Sequence, residues 1–176
     1  YSEDSDMLAC LKHFALYGAS ESGRDYREAD MSPARMYNEY FPPYRAAVEE
    51  GVASVMTSFN DLNGCPSTAN RWLLTEVLRN QWGFDGFVVS DYNAVGELVN
   101  HRAAESKEEA AVMSLNAGLD MDMVTAGCMT LGGALERGEV KMKQIDAACR
   151  RILEAKWKLG LFSDPYKYLD PARKQR

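Results

Sequence analysis

The feature that most constrains this chain is a fourfold alternation of short apolar runs with amphipathic segments. Met7-Leu8-Ala9-Cys10-Leu11 is a continuous apolar run ending in Lys12-His13, the pattern of a strand buried on both faces with polar residues at its carboxyl end. Ser32-Pro33 then opens a helical pattern that reaches about Tyr40, where Pro42-Pro43 interrupts it before a second stretch over 44–50 closed by Gly51. The second strand is expected over 52–59, followed by a turn at Asn63-Gly64 with Pro66. Trp72, Leu73, Leu74, Val77 and Leu78 share one face of a helix ending at Gly83, and Gly86-Phe87-Val88-Val89-Ser90-Asp91 follows as the third strand. A helix over 108–116 closed by Gly118, a weaker strand over 119–123, and a long periodic helix over 141–159 complete the pattern.

Strands alternating with helices predict a parallel sheet covered by helices. A doubly wound sheet usually carries a glycine-rich phosphate turn after a strand, and no GxGxxG or GxxxxGK[ST] occurs here. A (β/α)8 barrel instead gathers polar residues at the carboxyl ends of its strands, where Lys12-His13, Phe59-Asn60, Asp91 and Asp122 would fall. The barrel is the favoured reading. A complete barrel takes about 250 residues and eight strands, so the expected fold class is α/β, the C-terminal half of a TIM-type barrel with about four βα units. Such an arc has open edges that another polypeptide segment must cover, and a homo-oligomer is one way of doing so.

Composition narrows the partners. With 20 Lys+Arg against 26 Asp+Glu the formal charge is −6, and no basic run offers the footprint that nucleic acid requires. The uncharged stretch 123–135 falls short of the roughly 18 residues of a membrane span, so neither nucleic acid nor membrane is an expected partner. The first six residues hold three acids and neither a basic nor an apolar signal region, so no secretory signal is read here. Cys10, Cys65, Cys128 and Cys149 lack metal-ligand or disulfide-framework spacing and are expected to be free, buried thiols. No residue cluster calls for a metal or cofactor.

Asp91 is the first candidate for chemistry, because a carboxylate ending an inner strand of a barrel projects into its mouth. Against this stands the frequent use of Asp as a cap or loop acceptor. Lys12 and His13 are adjacent, so both face a site only where the strand bends or ends. Met56, Phe59 and Tyr92 could form an apolar floor for a sugar ring, or simply belong to the core. The glycine-punctuated loop 17–26 has the character of a functional loop over the barrel mouth. His101 and the run Glu105-Ser106-Lys107-Glu108-Glu109 are read as a solvated helix entrance.

Lys12-His13-Phe14, the strand Ser54-Val55-Met56-Thr57-Ser58-Phe59-Asn60 with Asn63-Gly64, and Gly86-Phe87-Val88-Val89-Ser90-Asp91-Tyr92, in this order, resemble glycoside hydrolase family 3, most of all its bacterial periplasmic β-glucosidases. Asp30-Met31-Ser32-Pro33, Leu78-Arg79-Asn80-Gln81-Trp82-Gly83-Phe84, Ala117-Gly118-Leu119-Asp120-Met121 and the closing Gly160-Leu161-Phe162-Ser163-Asp164-Pro165-Tyr166 extend the resemblance over nearly the whole chain. It implies a retaining exo-acting β-glycosidase that releases terminal glucose or xylose, with Asp91 as nucleophile. Lys12 and His13 would grip sugar hydroxyls, Met56 would line the same subsite, and Tyr92 stands where many members have tryptophan. Phe59 stands where many relatives carry tyrosine, so that hydroxyl is lacking here.

The resemblance also implies that residues 1–160 are a partial catalytic barrel and 161–176 the start of a linker to a further C-terminal domain. In β-glucosidase-like members that domain supplies the acid/base glutamate, and the loop after Lys12-His13 lacks the Asp-Ser-His of N-acetylglucosamine-specific members. The expected partners are a small β-glycoside or oligosaccharide and the upstream and downstream segments of the same protein, without which the chain is expected to be inactive. A periplasmic or secreted location follows from the resemblance alone. A Schiff-base aldolase using Lys12 and a non-catalytic carbohydrate-binding remnant are the alternative readings.

Overall fold

The computed structural model describes residues 7–169. Strand β1 (Cys10–Phe14) leads through a loop to a short helix α1 (Pro33–Arg35), a wider π-helical turn (Met36–Tyr40) and helix α2 (Phe41–Glu49). Strand β2 (Ser54–Thr57) is followed by a small hairpin of β3 (Asp61–Leu62) and β4 (Cys65–Pro66), turning through Asn63-Gly64 as the sequence predicts. A helical segment of π type (Trp72–Gln81) precedes β5 (Phe87–Val89), and helices α3 (Ala94–Asn100), α4 (Lys107–Ala117), α5 (Leu131–Glu136) and α6 (Met142–Lys158) complete the order.

The three longer strands form one parallel sheet in the order β1-β2-β5, which follows the chain without reversal. Val55 and Val88, side by side in register, are fully buried, as expected of a parallel sheet covered on both faces. Gly86 lets the start of β5 approach β2, since a Cβ there would overlap the Ala53 carbonyl. Leu73, Leu74, Val77 and Leu78 are all buried on one side of the helical segment before β5, and each contributes roughly 1.5–3 kcal/mol of transfer free energy.

Several expectations need correction. The first strand lies at Cys10–Phe14 rather than 7–11, because Phe14 is drawn in by a ring cluster with Phe41, Tyr44 and Trp82. Lys12 and His13 are therefore inside the strand. The helix is not broken at Pro42-Pro43, because both prolines occupy the first turn of α2, where backbone N–H groups have no helical acceptor. The expected strand over 119–123 shrinks to one parallel bridge between Val89 and Met121. Its pairing is truncated where the Asp120 side chain, instead of a backbone carbonyl, accepts the Val88 amide at 2.8 Å. Helix α3 had no counterpart in the sequence reading. The cysteines are free, but Cys10, Cys128 and Cys149 are exposed and Cys65 is only half-buried.

Local caps bound α4, and one carboxylate ties α6 to the sheet. Ser106 Oγ accepts the Glu109 amide at the start of α4, and Gly118, at φ +113°, terminates that helix. Beside Val88 of β5, the Asp120 carboxylate accepts Arg79 Nη2 at 2.6 Å through one oxygen and Arg151 Nη1 of α6 at 2.7 Å through the other. Its side chain is 1% exposed. Burial raises the Asp120 pKa, and the two guanidinium groups and the Val88 amide oppose the rise. Residues 161–169 form turns, while 170–176, the rest of the expected linker, lie outside the described residues.

Candidate active site

The carboxyl ends of β1 and β5 bring His13 and Asp91 together. His13 Nε2 lies 3.4 Å from Asp91 Oδ2, with side chains 28% and 15% exposed. The two residues are far apart in sequence and meet across the intervening strand β2. The other carboxylate oxygen, Oδ1, accepts the Tyr92 amide at 2.6 Å. One oxygen is thus held by backbone, and the second is left beside an imidazole and partly open to solvent.

The Asp91 turn is itself held firmly. Ser90 is fully buried; its amide donates to the Met121 carbonyl and its hydroxyl accepts the Met123 amide at 2.8 Å. Asn93, at φ +57°, donates its amide to the Met123 carbonyl, and its side chain accepts from the Thr125 hydroxyl at 3.2 Å. Asparagine is one of the few residues that tolerates this left-handed conformation. A Cβ at Gly96 would come 2.5 Å from Asn93 Oδ1 and force that side chain to shift.

On the β1 side, Tyr44 donates its hydroxyl to the His13 carbonyl at 2.7 Å. Its half-buried phenol has a raised pKa because burial disfavours the phenolate. Tyr17, just past β1, packs edge-on against His13 with ring centroids 5.5 Å apart. Burial and the neighbouring Asp25 carboxylate push the Tyr17 pKa up, so this phenol stays neutral over the working range of most enzymes.

The remaining sequence candidates divide. Phe59 is half-buried and meets Tyr26 at 4.6 Å and Tyr17 at 6.0 Å, so a chain of rings runs from His13 through Tyr17 and Phe59 to Tyr26. Met56 is half-buried in β2, and Tyr92 is 63% exposed beside Asp91. Lys12 is exposed and forms no ion pair with Asp91, whose carboxylate lies beside the His13 imidazole. Asn60 is fully buried and donates to the Asp61 carbonyl, and Asp122 accepts the Gly127 amide, so both serve the backbone of their loops.

Sequence reasoning missed three residues. Tyr17 and Tyr26 belong to the loop singled out as functional, but nothing in their spacing revealed the ring chain. His101, read as solvated, is 11% exposed and pairs through Nδ1 with Asp61 Oδ1 at 2.7 Å. The pairing is non-local and leaves no mark in sequence spacing. Among the described residues, no group of three or more His, Cys, Asp or Glu side chains could hold a metal, and no helix is long and apolar enough to cross a membrane. A cleft of about 550 Å³ lined by Arg71, Arg79, Asp120, Lys141 and Lys143 contains none of the residues around Asp91, and its buried carboxylate is already saturated by arginine.

Comparison with known proteins adds the context. The profile of the glycosyl hydrolase family 3 N terminal domain matches residues 2–155. A periplasmic beta-glucosidase of Salmonella typhimurium is 44% identical over 166 residues, covering 94% of this chain and 22% of that protein. A beta-xylosidase of Formosa agariphila is 43% identical over 178 residues, covering 96% of this chain and 25% of that protein. The crystal structure of the beta-glucosidase from Listeria innocua in complex with glucose superposes with a TM-score of 0.91 at 45% identity, over 93% of this chain and 23% of the other. The chain spans about a quarter of the length of these relatives. A match over this much of the chain, with the fold reproduced at that level of identity, places it in glycoside hydrolase family 3.

Proposed function

We propose that this chain is the C-terminal half of a (β/α)8 catalytic barrel in a retaining, exo-acting β-glycosidase that removes terminal β-linked glucose or xylose. The observation that carries the reading is the contact between His13 and Asp91 at the carboxyl ends of two non-adjacent parallel strands. Strand order that follows the chain supports the barrel over a doubly wound sheet, whose order reverses. The relatives named as β-glucosidases and β-xylosidases support the substrate class.

In this mechanism Asp91 Oδ2 attacks the anomeric carbon as the bond to the departing oxygen breaks, and that oxygen takes a proton from a second carboxyl. Water then cleaves the glycosyl ester, assisted by the same carboxyl acting as base, and the sugar leaves with its β configuration restored. The Tyr92 amide holds Oδ1, so the attacking oxygen is aimed without freezing both. His13 stands where it can donate to a sugar hydroxyl, and Lys12, Met56, Phe59 and Tyr92 contribute to the sugar pocket. The second carboxyl belongs to polypeptide outside residues 1–176, with 1–160 forming the barrel portion and 161–176 leading towards the next domain. The protein works in the periplasm or after secretion. The exposed Lys12 disfavours the aldolase reading, which needs a desolvated amine.

The test is to incubate the full-length natural polypeptide with a 2-deoxy-2-fluoro β-glucoside bearing a good leaving group and to map the trapped sugar by peptide mass spectrometry. The label is expected on Asp91. A label on another carboxylate, or a first-formed product with α configuration by NMR, overturns the assignment.

A further inference from the structure

We propose that His101 is a positioning residue for the sugar pocket, acting through Asp61 to fix the loop that carries Phe59 relative to the Asp91 turn. Helix α3 starts three residues after Asp91, and His101 follows its last residue. Asp61 opens β3, two residues after Phe59. The 2.7 Å contact between His101 Nδ1 and Asp61 Oδ1 therefore joins the loop after β2 to the helix leaving β5. Among the described residues no other ion pair joins these two segments.

The partners of the loop show what the contact controls. The Asp61 carbonyl accepts the Ala29 amide at 2.8 Å, and the Asn63 side chain exchanges two hydrogen bonds with the Met31 backbone. These bonds tie the hairpin to the loop that follows β1, and among the described residues the Asp61 side chain bonds the β5 side through His101. Phe59 touches Tyr17, and Tyr17 touches His13 beside Asp91. Without the imidazole, the hairpin keeps its anchor on the β1 side and the packing of residues 67–69 against α3 and α4, and loses the side-chain bond between Asp61 and the end of α3. The ring face would then shift within the sugar pocket and hold the ground state and the transition state less well by the same amount, which raises KM and leaves kcat.

This inference rests on the reading of Asp91 as nucleophile, so the experiment tests the two separately. In the full-length polypeptide, His101→Ala and Asp61→Ala are each expected to raise KM for an aryl β-glucoside about tenfold, with kcat per labelled active site within about twofold of the parent. His101→Asn, whose amide nitrogen takes the place of Nδ1, is expected to recover most of the lost affinity. The double variant should be no worse than either single one, as for two residues acting through one contact. Unchanged KM in both alanine variants, with only Tm and the fraction of labelled sites reduced, would show a purely structural pair and overturn the inference. An equal KM increase in His101→Ala and His101→Asn would overturn it as well. Asp61→Ala serves if His101→Ala does not fold. Labelling of the parent at a residue other than Asp91 refutes the underlying reading, whereas labelling at Asp91 with unaltered KM in the variants refutes only the role of His101.

Discussion

Two aspartates flank β5, and they are used in opposite ways. Asp120, beside Val88 in the middle of the strand, is 1% exposed and has both oxygens occupied by arginines, with the Val88 amide as a further donor. Asp91, beyond the carboxyl end, is 15% exposed, with one oxygen on the Tyr92 amide and the other next to an imidazole at the longer distance of 3.4 Å. A buried carboxylate that serves the fold must have its desolvation compensated by fixed donors. A carboxylate that is to form a bond needs a free lone pair and a path for the substrate. The difference between them is a matter of unfilled coordination, and depth alone does not describe it.

The contrast breaks most plainly through substitution. Asp91→Ala should lower kcat/KM of the full-length polypeptide by at least roughly 10³-fold, as loss of a covalent nucleophile does, while Tm by calorimetry stays close to that of the parent. Asp120→Ala should do the reverse. It leaves the Arg79 and Arg151 charges without their carboxylate and should destabilise the fold by about 3–5 kcal/mol in denaturant titration, with activity per labelled site retained. An Asp120→Ala variant as stable as the parent would remove the distinction.

The smallest effect sharpens the β1 side of the comparison. The half-buried Tyr44 phenol keeps its proton to higher pH than in the unfolded chain, whose ordinary value is 10.0. Its contribution to stability is therefore complete below about pH 10 and is lost as pH rises through the folded-state value. Tyr44→Phe, which gives up the bond to the His13 carbonyl, should be slightly less stable at neutral pH, by about 1 kcal/mol. Its stability should fall less steeply than the parent's above pH 10, as measured by urea unfolding across pH.

The sequence carried the alternation of elements because burial on both faces of a parallel sheet writes itself as runs such as Phe87-Val88-Val89. It also carried Asp91 and His13 as candidates, since polar residues ending such runs stand out against them. It misplaced β1 by three residues because the pull on Phe14 comes from Phe41, Tyr44 and Trp82, none of which is near it in the chain. Which of Lys12 and His13 faces Asp91 was not legible, because residue type is visible in sequence and side-chain direction is not. His101 was misread for a related reason: a histidine beside a run of charges looks solvated until a distant aspartate is found opposite it.

The double arginine clamp has a consequence for how this part of the family can change. Arg151 sits on α6 and Arg79 on the segment before β5, so the long final helix is indexed against the sheet by one carboxylate in addition to the packing of Ile145 and Ala148. An insertion or deletion of a single residue within α6 before Arg151 would rotate the guanidinium away by about 100 degrees. Natural variation between Met121 and Arg151 should therefore favour loop insertions that leave the helical phase intact.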